Sequence, residues 1–197
     1  MTAELGPAPV VVDVGANAGY FALYLLANAP GATVYAYEPV SGNFGVLERN
    51  RATNAEIAKN LHVFQMAVLG TPRASIDLHV QANKEHSMVA SVHGGMIGES
   101  TRTVRIGAIS LAQIVESMPG KAIDLLKLDC EGAEYEIMFE TPRDALDRVR
   151  RIVMETHVRP GLAHTHEEMV AFLRARGYAI REMVQHPGSS YLIWARR

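Results

Sequence analysis

A strand, turn and helix pattern near the start of the chain constrains the fold more than any other feature of the sequence. The apolar, β-branched run of residues 10–14 predicts a buried strand, and Gly15 and Gly19 bracket a tight turn directly after it. The apolar stretch from Tyr20 predicts a helix that ends before Pro30. A glycine turn between a strand and a helix opens a βαβ unit, which binds nucleoside cofactors at that turn. The pattern therefore predicts an α/β protein.

A second apolar segment ends in an acid. Residues 32–37 predict the second strand, and Glu38-Pro39 follows directly. In dinucleotide-type βαβ units, an acid about 20 residues past the glycine turn binds the ribose diol. We therefore expect an adenosine-bearing ligand with Glu38 at its ribose.

The residue between the glycines bears on which adenosine ligand is bound. Dinucleotide folds use a G-x-G-x-x-G turn whose second glycine lets the backbone approach the pyrophosphate, and this chain has Asn17 there. S-adenosylmethionine has no phosphate, and Asp13, Asn17 and nearby backbone amides could bind its ammonium and carboxylate. The turn favours a methyl donor. A nicotinamide-dependent oxidoreductase is the alternative.

Strands alternate with helices along the remaining sequence. Two last strands, residues 178–184 and 191–195, predict an antiparallel hairpin. Together these patterns predict a single domain, residues 1–197, with a doubly wound, mostly parallel sheet closed by that hairpin. Further strands are predicted at residues 61–69, 74–80, 101–106, 123–128 and 151–155.

Three helix starts carry side-chain signals. Ser41 is predicted to cap the helix after Glu38, and Thr141 is predicted to start another. Thr165, with Glu168 three residues later, forms a capping-box pattern.

Composition narrows the classes of partner. The net charge of −2 and the absence of a block of like charges argue against nucleic acid as the acceptor. No apolar run approaches the roughly 18 residues of a membrane span, and residues 1–9 do not resemble a signal peptide. Cys130 is the only cysteine, which excludes an internal disulfide. We expect a cytoplasmic enzyme without membrane contact, with a small-molecule acceptor, and a homodimer is left open.

The segment from Lys127 to Glu134 gathers three acids and a glycine after a predicted buried strand. Burying an unpaired carboxylate costs several kcal/mol, so stability alone does not explain the cluster. We predict a site role for Asp129 and Glu131, with helix capping as the alternative. Glu134 is assigned a structural role.

Several of these segments together resemble the FkbM family of S-adenosylmethionine-dependent methyltransferases. The resemblance implies a Rossmann-like class I methyltransferase fold and O-methylation of a hydroxyl, or a carboxyl, on a small molecule, sugar or natural product of secondary metabolism. One departure is Ser110-Leu-Ala112, where the family usually has Thr-Leu-Asp. The matching segments are residues 12–20, 35–39, 43–44, 47–50, 67–70, 124–134 and 152–155.

The resemblance also implies a set of cofactor-binding residues. Glu38 would bind the ribose hydroxyls, and Ala67 and Val68 would line the adenine. The residues expected at the methionine end are Asp13, Gly15, Asn17 and Gly19. The remaining members of the cofactor-binding set are Ala16, Tyr20, Pro39, Asn43 and Asp129.

Methyl transfer is an in-line displacement at a reactive sulfonium, so the enzyme mainly aligns the reactants and removes a proton. His157 is the candidate base, because an imidazole with a near-neutral pKa can accept a hydroxyl proton. A loop histidine bonded to the backbone is the alternative interpretation. Asp129 and Glu131 are the other candidates for the base, or they orient the acceptor.

The polar, glycine-rich segment of residues 81–100 is predicted to be a mobile loop. His86 and Ser87 on it are candidate acceptor contacts, and a solvated role is the alternative. No metal is assigned, although Asp129, Glu131, Glu155 and His157 have ligand types that suit magnesium. A methyltransferase acting on a nucleic acid or peptide, and a silent binding module, are kept as alternatives.

Overall fold

The computed structural model describes residues 5–81, 90–91, 101–157, 164–186 and 190–197. Its main sheet has seven strands in the order β10-β11-β9-β8-β1-β2-β3. The strands are β1 (Val10–Val14), β2 (Thr33–Tyr37), β3 (Leu61–Phe64), β4 (Ala67–Leu69), β5 (Ser75–Gln81), β6 (Ala90–Ser91), β7 (Thr101–Ser110), β8 (Leu125–Leu128), β9 (Arg151–His157), β10 (Ala179–His186) and β11 (Ser190–Arg196). The helices are α1 (Tyr20–Asn28), α2 (Ser41–Thr53), α3 (Leu111–Ser117), α4 (Glu134–Glu140), α5 (Arg143–Leu146) and α6 (His166–Ala175).

The central five strands of this sheet, from β9 to β3, run parallel. Strand β11 is antiparallel to β9, and β10 is antiparallel to β11. This topology confirms the predicted doubly wound sheet with an antiparallel C-terminal hairpin. Because the parallel strands end at one edge, the residues that follow β1, β2 and β8 meet there.

Two hydrophobic clusters cover the faces of the sheet. On one face, Val12 and Leu126 pack with helices α3, α4 and α6, which contribute residues such as Ile114. On the other face, Val11 and Leu125 pack with α1 and α2. Neighbouring residues in β1 and β8 point to opposite faces, and both faces are covered, so these strands are apolar almost throughout.

The single strand predicted over residues 61–69 is wrong. The chain breaks at Gln65 and Met66, so that β3 pairs with β2 while β4 pairs with β7. Strands β4, β7, β5 and β6 form a second sheet. A continuous apolar run gives no signal of the point at which the backbone leaves one set of strand partners for another.

Helices begin at or next to all three predicted starts, but two of the three predicted capping residues are wrong by one position. Val40 caps α2 while Ser41 is already helical, and Pro142 caps α5. The hydroxyl of Thr141 instead donates to the carbonyl of Ile137 in the preceding helix. The predicted capping box of Thr165 and Glu168 is confirmed.

Part of the predicted loop over residues 81–100 is a strand, because Ala90–Ser91 pairs with β5. His86 and Ser87 lie outside the described residues. None of the helices in the described ranges is long and apolar enough to cross a membrane.

Candidate active site

The turn after β1 needs glycine at its first position. Gly15 has a φ of +73°, and a Cβ there would lie 1.8 Å from the backbone oxygen of Asp129. The amides of Gly15 and Ala16 both donate to the carbonyl of Tyr37 at 3.0 Å. The turn therefore lies tightly between the ends of β2 and β8.

Asn17 lies at the exposed tip of the same turn and lines the cavity described below. Its φ is +50°, a left-handed conformation that asparagine tolerates better than most residues. Its amide donates to Oε2 of Glu38 at 2.9 Å. This bond joins the glycine turn to the acid after β2.

Glu38 is only 4% exposed, and both of its carboxylate oxygens accept hydrogen bonds. Oε1 accepts from the amide of Val40 at 2.9 Å and from Nδ2 of Asn43 at 3.5 Å. Burial raises the pKa of Glu38, while the hydrogen bonds from Val40 and Asn17 oppose that shift. A carboxylate has about four acceptor sites, so Glu38 can also accept bonds from a ligand's hydroxyls.

Lys127 connects β8 to the turn after β1, opposite Asp13 in the strand register. Its Nζ lies 3.1 Å from Oδ1 of Asp13 and 3.6 Å from Oδ2 of Asp129, and it donates to the carbonyl of Gly15 at 2.8 Å. Burial would lower the pKa of Lys127, but the charges of Asp13 and Asp129 outweigh it and the pKa is raised. Lys127 therefore links Asp13, Asp129 and the carbonyl of Gly15.

No role was predicted for Lys127 from the sequence. A single lysine in one apolar strand and a single acid in another could have indicated that the two strands are neighbours and that the two side chains form an ion pair. Asp13 itself is fully buried, and burial raises its pKa against the opposing effect of Lys127. It supports the turn from below and does not line the cavity.

The segment after β8 folds around the carboxylate of Glu134. This side chain is fully buried, and its two oxygens accept from the amides of Cys130 and Gly132, each at 2.9 Å. Glu131 and Gly132 both have positive φ values, +58° and +109°. The resulting turn leaves the side chain of Asp129 41% exposed at the end of β8.

His157, the last residue of β9, has its side chain 12% exposed. Its Nδ1 lies 3.0 Å from Oε1 of Glu134, and its Nε2 lies 3.8 Å from carboxylate oxygens of both Glu131 and Glu155. Burial would lower the pKa of His157, but the hydrogen bond and charge of Glu134, with the charges of Glu131 and Glu155, outweigh it and raise the pKa. His157 therefore lies in a strand and contacts a carboxylate, whereas the alternative interpretation placed it in a loop and bonded it to the backbone.

A cavity of about 320 Å³ connects these groups and falls in the size range of small-ligand sites. Of the residues predicted from the sequence, it brings together Gly15, Asn17, Glu38, Pro39, Asn43, Ala67, Val68, Asp129, Glu131 and His157. Ala16 and Gly19 are buried and do not line it, and Tyr20 is 74% exposed on the surface.

Sequence reasoning missed an apolar wall of the cavity. Ile76 and Leu78 of β5 contribute to it, together with Val40, Met66 and Leu69. Apolar residues alternate along β5, so Ile76 and Leu78 lie on the same face of the strand. This alternation does not indicate that the face lines the cavity.

Among the described residues, one group of side chains could hold a metal ion. Ligand atoms of Asp129, Glu155 and His157 all lie within 4.8 Å of one another. Carboxylate oxygens with an imidazole nitrogen are ligands that divalent cations accept. No metal is assigned from the sequence, and a cation would bind at this group.

A model of the methyltransferase FkbM domain matches residues 13–180. The chain belongs to the FkbM methyltransferase family. Its relatives in this family include the 31-O-demethyl-FK506 methyltransferase FkbM of Streptomyces tacrolimicus, which is 27% identical over 90% of this chain and 75% of that protein. Methyltransferase sdnD of Sordaria araneosa is 28% identical over 99% of this chain and 84% of its own length. The family match confirms the resemblance on which the sequence analysis relied and favours methyl transfer over the nicotinamide alternative.

Solved structures of methyltransferases share the fold of this FkbM-family chain. Methyltransferase FkbM of Methylobacillus flagellatus superposes with a TM-score of 0.60 at 17% identity, over 95% of this chain and 44% of that chain. Magnesium protoporphyrin IX methyltransferase of Synechocystis, solved with bound S-adenosylmethionine, gives 0.53 at 12% identity, over 99% and 72%. These likenesses confirm the Rossmann-like class I fold.

Cys130 lies in the wall of the cavity of this FkbM-family chain, and its reactivity is predictable. Burial raises the pKa of its thiol well above the usual value, and the charges of Glu134 and Asp129 add to the shift. Because only the thiolate reacts, alkylation at pH 8 should be at least about tenfold slower in the native protein than in urea. Timed iodoacetamide labelling with mass spectrometry measures this ratio, and equal rates would contradict it.

Proposed function

We propose that this chain transfers a methyl group from S-adenosylmethionine to a hydroxyl oxygen of a small molecule, sugar or natural product. The observation that carries the proposal is that two chemically different sets of side chains line the same cavity. Glu38 follows β2, and Val40 near it packs with apolar residues of β4 and β5. His157 ends β9 and lies among three carboxylates, and β8 and β1 separate β9 from β2 in the sheet. A nucleoside donor and a hydroxyl acceptor need these two environments side by side.

The donor part fits S-adenosylmethionine by its chemistry. Glu38 would accept bonds from the ribose hydroxyls, and Ala67 and Val68 would contact the adenine. Asn17 and Asp129 offer polar groups for the ammonium and carboxylate of the amino acid end. When bound, the cofactor supplies an electrophilic methyl group on a sulfonium.

The acceptor part can remove a proton. His157 would accept the hydroxyl proton of the acceptor on Nε2. The donor, when bound, would supply the methyl group to the acceptor oxygen, with loss of its methyl–sulfur bond, and leave as S-adenosylhomocysteine. Asp129 and Glu131 would orient the acceptor by hydrogen bonding. Three carboxylates near the reacting oxygen would repel an anionic acceptor, which favours a hydroxyl over a carboxyl group.

Two further observations support a small acceptor. The Streptomyces relative is named for methylating an oxygen of demethyl-FK506. The carboxylates at the cavity and the net charge of −2 are unsuited to a nucleic acid backbone. Acceptor tests should therefore start with neutral or cationic hydroxyl compounds.

Titration calorimetry with S-adenosylhomocysteine tests the donor site. Glu38→Gln should weaken binding about 10- to 100-fold, because a charge-assisted hydrogen bond to the ribose contributes about 1.5 to 3 kcal/mol. Glu48→Gln, at an exposed position of α2, is the matched control and should bind as the wild type does. Absence of binding by the wild type at millimolar ligand would overturn the proposal.

Incubation with methyl-labelled donor and hydroxyl compounds, followed by mass spectrometry, tests the acceptor. The expected product gains one methyl group on oxygen. Dialysis against EDTA should leave the rate unchanged, because a cation held by Asp129, Glu155 and His157 would occupy the ring nitrogen that is proposed to accept the proton.

A further inference from the structure

We propose that Glu134 is a positioning residue that orients the imidazole of His157 toward the acceptor and holds the turn that carries Glu131. This inference rests on the proposed function and deepens it. From the sequence, Glu134 is assigned only a structural role, whereas its contacts extend to His157.

Both oxygens of this buried carboxylate are used. Oε2 accepts from the amide of Gly132, while Oε1 accepts from the amide of Cys130 and lies 3.0 Å from Nδ1 of His157. One side chain at the start of α4 therefore contacts both the turn after β8 and the end of β9. A carboxylate that served only its own helix would not reach the imidazole.

These contacts define which ring nitrogen of His157 can accept a proton from the acceptor. Because a carboxylate accepts hydrogen bonds, Nδ1 of His157 is the nitrogen that donates to Glu134. In the neutral ring, the lone pair is then on Nε2, which is the nitrogen near Glu131 and Glu155. The negative charge of Glu134 also stabilises the imidazolium that forms once the acceptor proton arrives.

The turn depends on the same carboxylate. Glu131 adopts a left-handed φ of +58°, which is unfavourable for a side chain longer than asparagine or aspartate. The amides on either side of it, those of Cys130 and Gly132, both point at the Glu134 carboxylate. Removing the carboxylate charge therefore weakens the support of Glu131 as well as of His157.

The test replaces Glu134 by glutamine in the full chain, which keeps the shape and removes the charge. We expect kcat to fall about 10- to 100-fold, with the KM for S-adenosylmethionine within about twofold. The pH at which activity rises should shift downward, because a less basic His157 is deprotonated at lower pH. Glu140→Gln, exposed at the end of α4, is the control and should match the wild type.

A second measurement needs no cofactor. NMR of the histidine ring nitrogens at a pH where His157 is neutral, with His157 assigned by its loss in His157→Ala, reports its tautomer directly. Other groups that face the ring are Glu131 and Asp129 from the turn after β8, and Glu155 from β9. The expected result is a proton on Nδ1 in the wild type and a larger share of the Nε2–H form in Glu134→Gln.

A wild-type His157 whose neutral ring carries its proton on Nε2 overturns the inference, and so does a folded Glu134→Gln variant with an unchanged kcat and pH profile. If Glu134→Gln does not fold, the tautomer of the wild-type ring decides the question alone. Failure of the proposed function appears separately, as the absence of S-adenosylhomocysteine binding by a wild type whose His157 carries its proton on Nδ1.

Discussion

Replacing Gly15 by alanine is expected to destabilise the protein by about 3 kcal/mol or more and to abolish cofactor binding. The added Cβ would lie 1.8 Å from the backbone oxygen of Asp129, so the ends of β1 and β8 would have to separate. Since Lys127 bonds the Gly15 carbonyl and pairs with Asp129, that separation also breaks the support beneath the cavity. Urea denaturation measures the change in the free energy of unfolding, and calorimetry measures the loss of S-adenosylhomocysteine binding.

Gly120→Ala is the matched control for that substitution. Gly120 has a similar left-handed φ of +64°, but a Cβ there has no heavy atom within 4 Å. Alanine at Gly120 should therefore cost only the left-handed backbone penalty, about 1 to 2 kcal/mol, and leave ligand binding intact. Equal losses of stability and binding in the two variants would contradict the clash at Gly15.

His157→Ala is expected to lower kcat about 10²- to 10⁴-fold, the usual contribution of a positioned general base. Binding of S-adenosylhomocysteine should change little, because β8 and β1 separate the end of β9 from the end of β2, where Glu38 is proposed to contact the ribose. The wild-type rate should rise with pH through the raised pKa of His157, since the base must be deprotonated to accept a proton. Rates measured from pH 5 to 9 test both statements.

His62→Ala is the control for the histidine variant. His62 is exposed on β3 and does not line the cavity, so its replacement should leave kcat and the pH profile unchanged. If His157→Ala retains full kcat, the base must be sought in Asp129 or Glu131.

Much of the fold could be predicted because its signals are local. The apolar run of β1, the glycines after it and the acid after β2 each reflect a backbone or burial requirement that acts over a few residues. Parallel strands then bring their carboxyl ends to one edge, which is why Glu38 and Asp129 could be expected near each other. The break between β3 and β4 could not be predicted, because both pieces are apolar strands that differ only in their partners.

The sequence by itself determined the class of protein, the glycine turn after β1 and the acid after β2, since a βαβ unit of this type constrains residues that are close along the chain. Only the tertiary structure decided the contacts of Lys127 with Asp13 and of Glu134 with His157. These pairs lie 114 and 23 positions apart, and strand register and helix placement bring them together. A buried charge needs a partner, but the residues next to it in the sequence do not specify which distant residue that partner is.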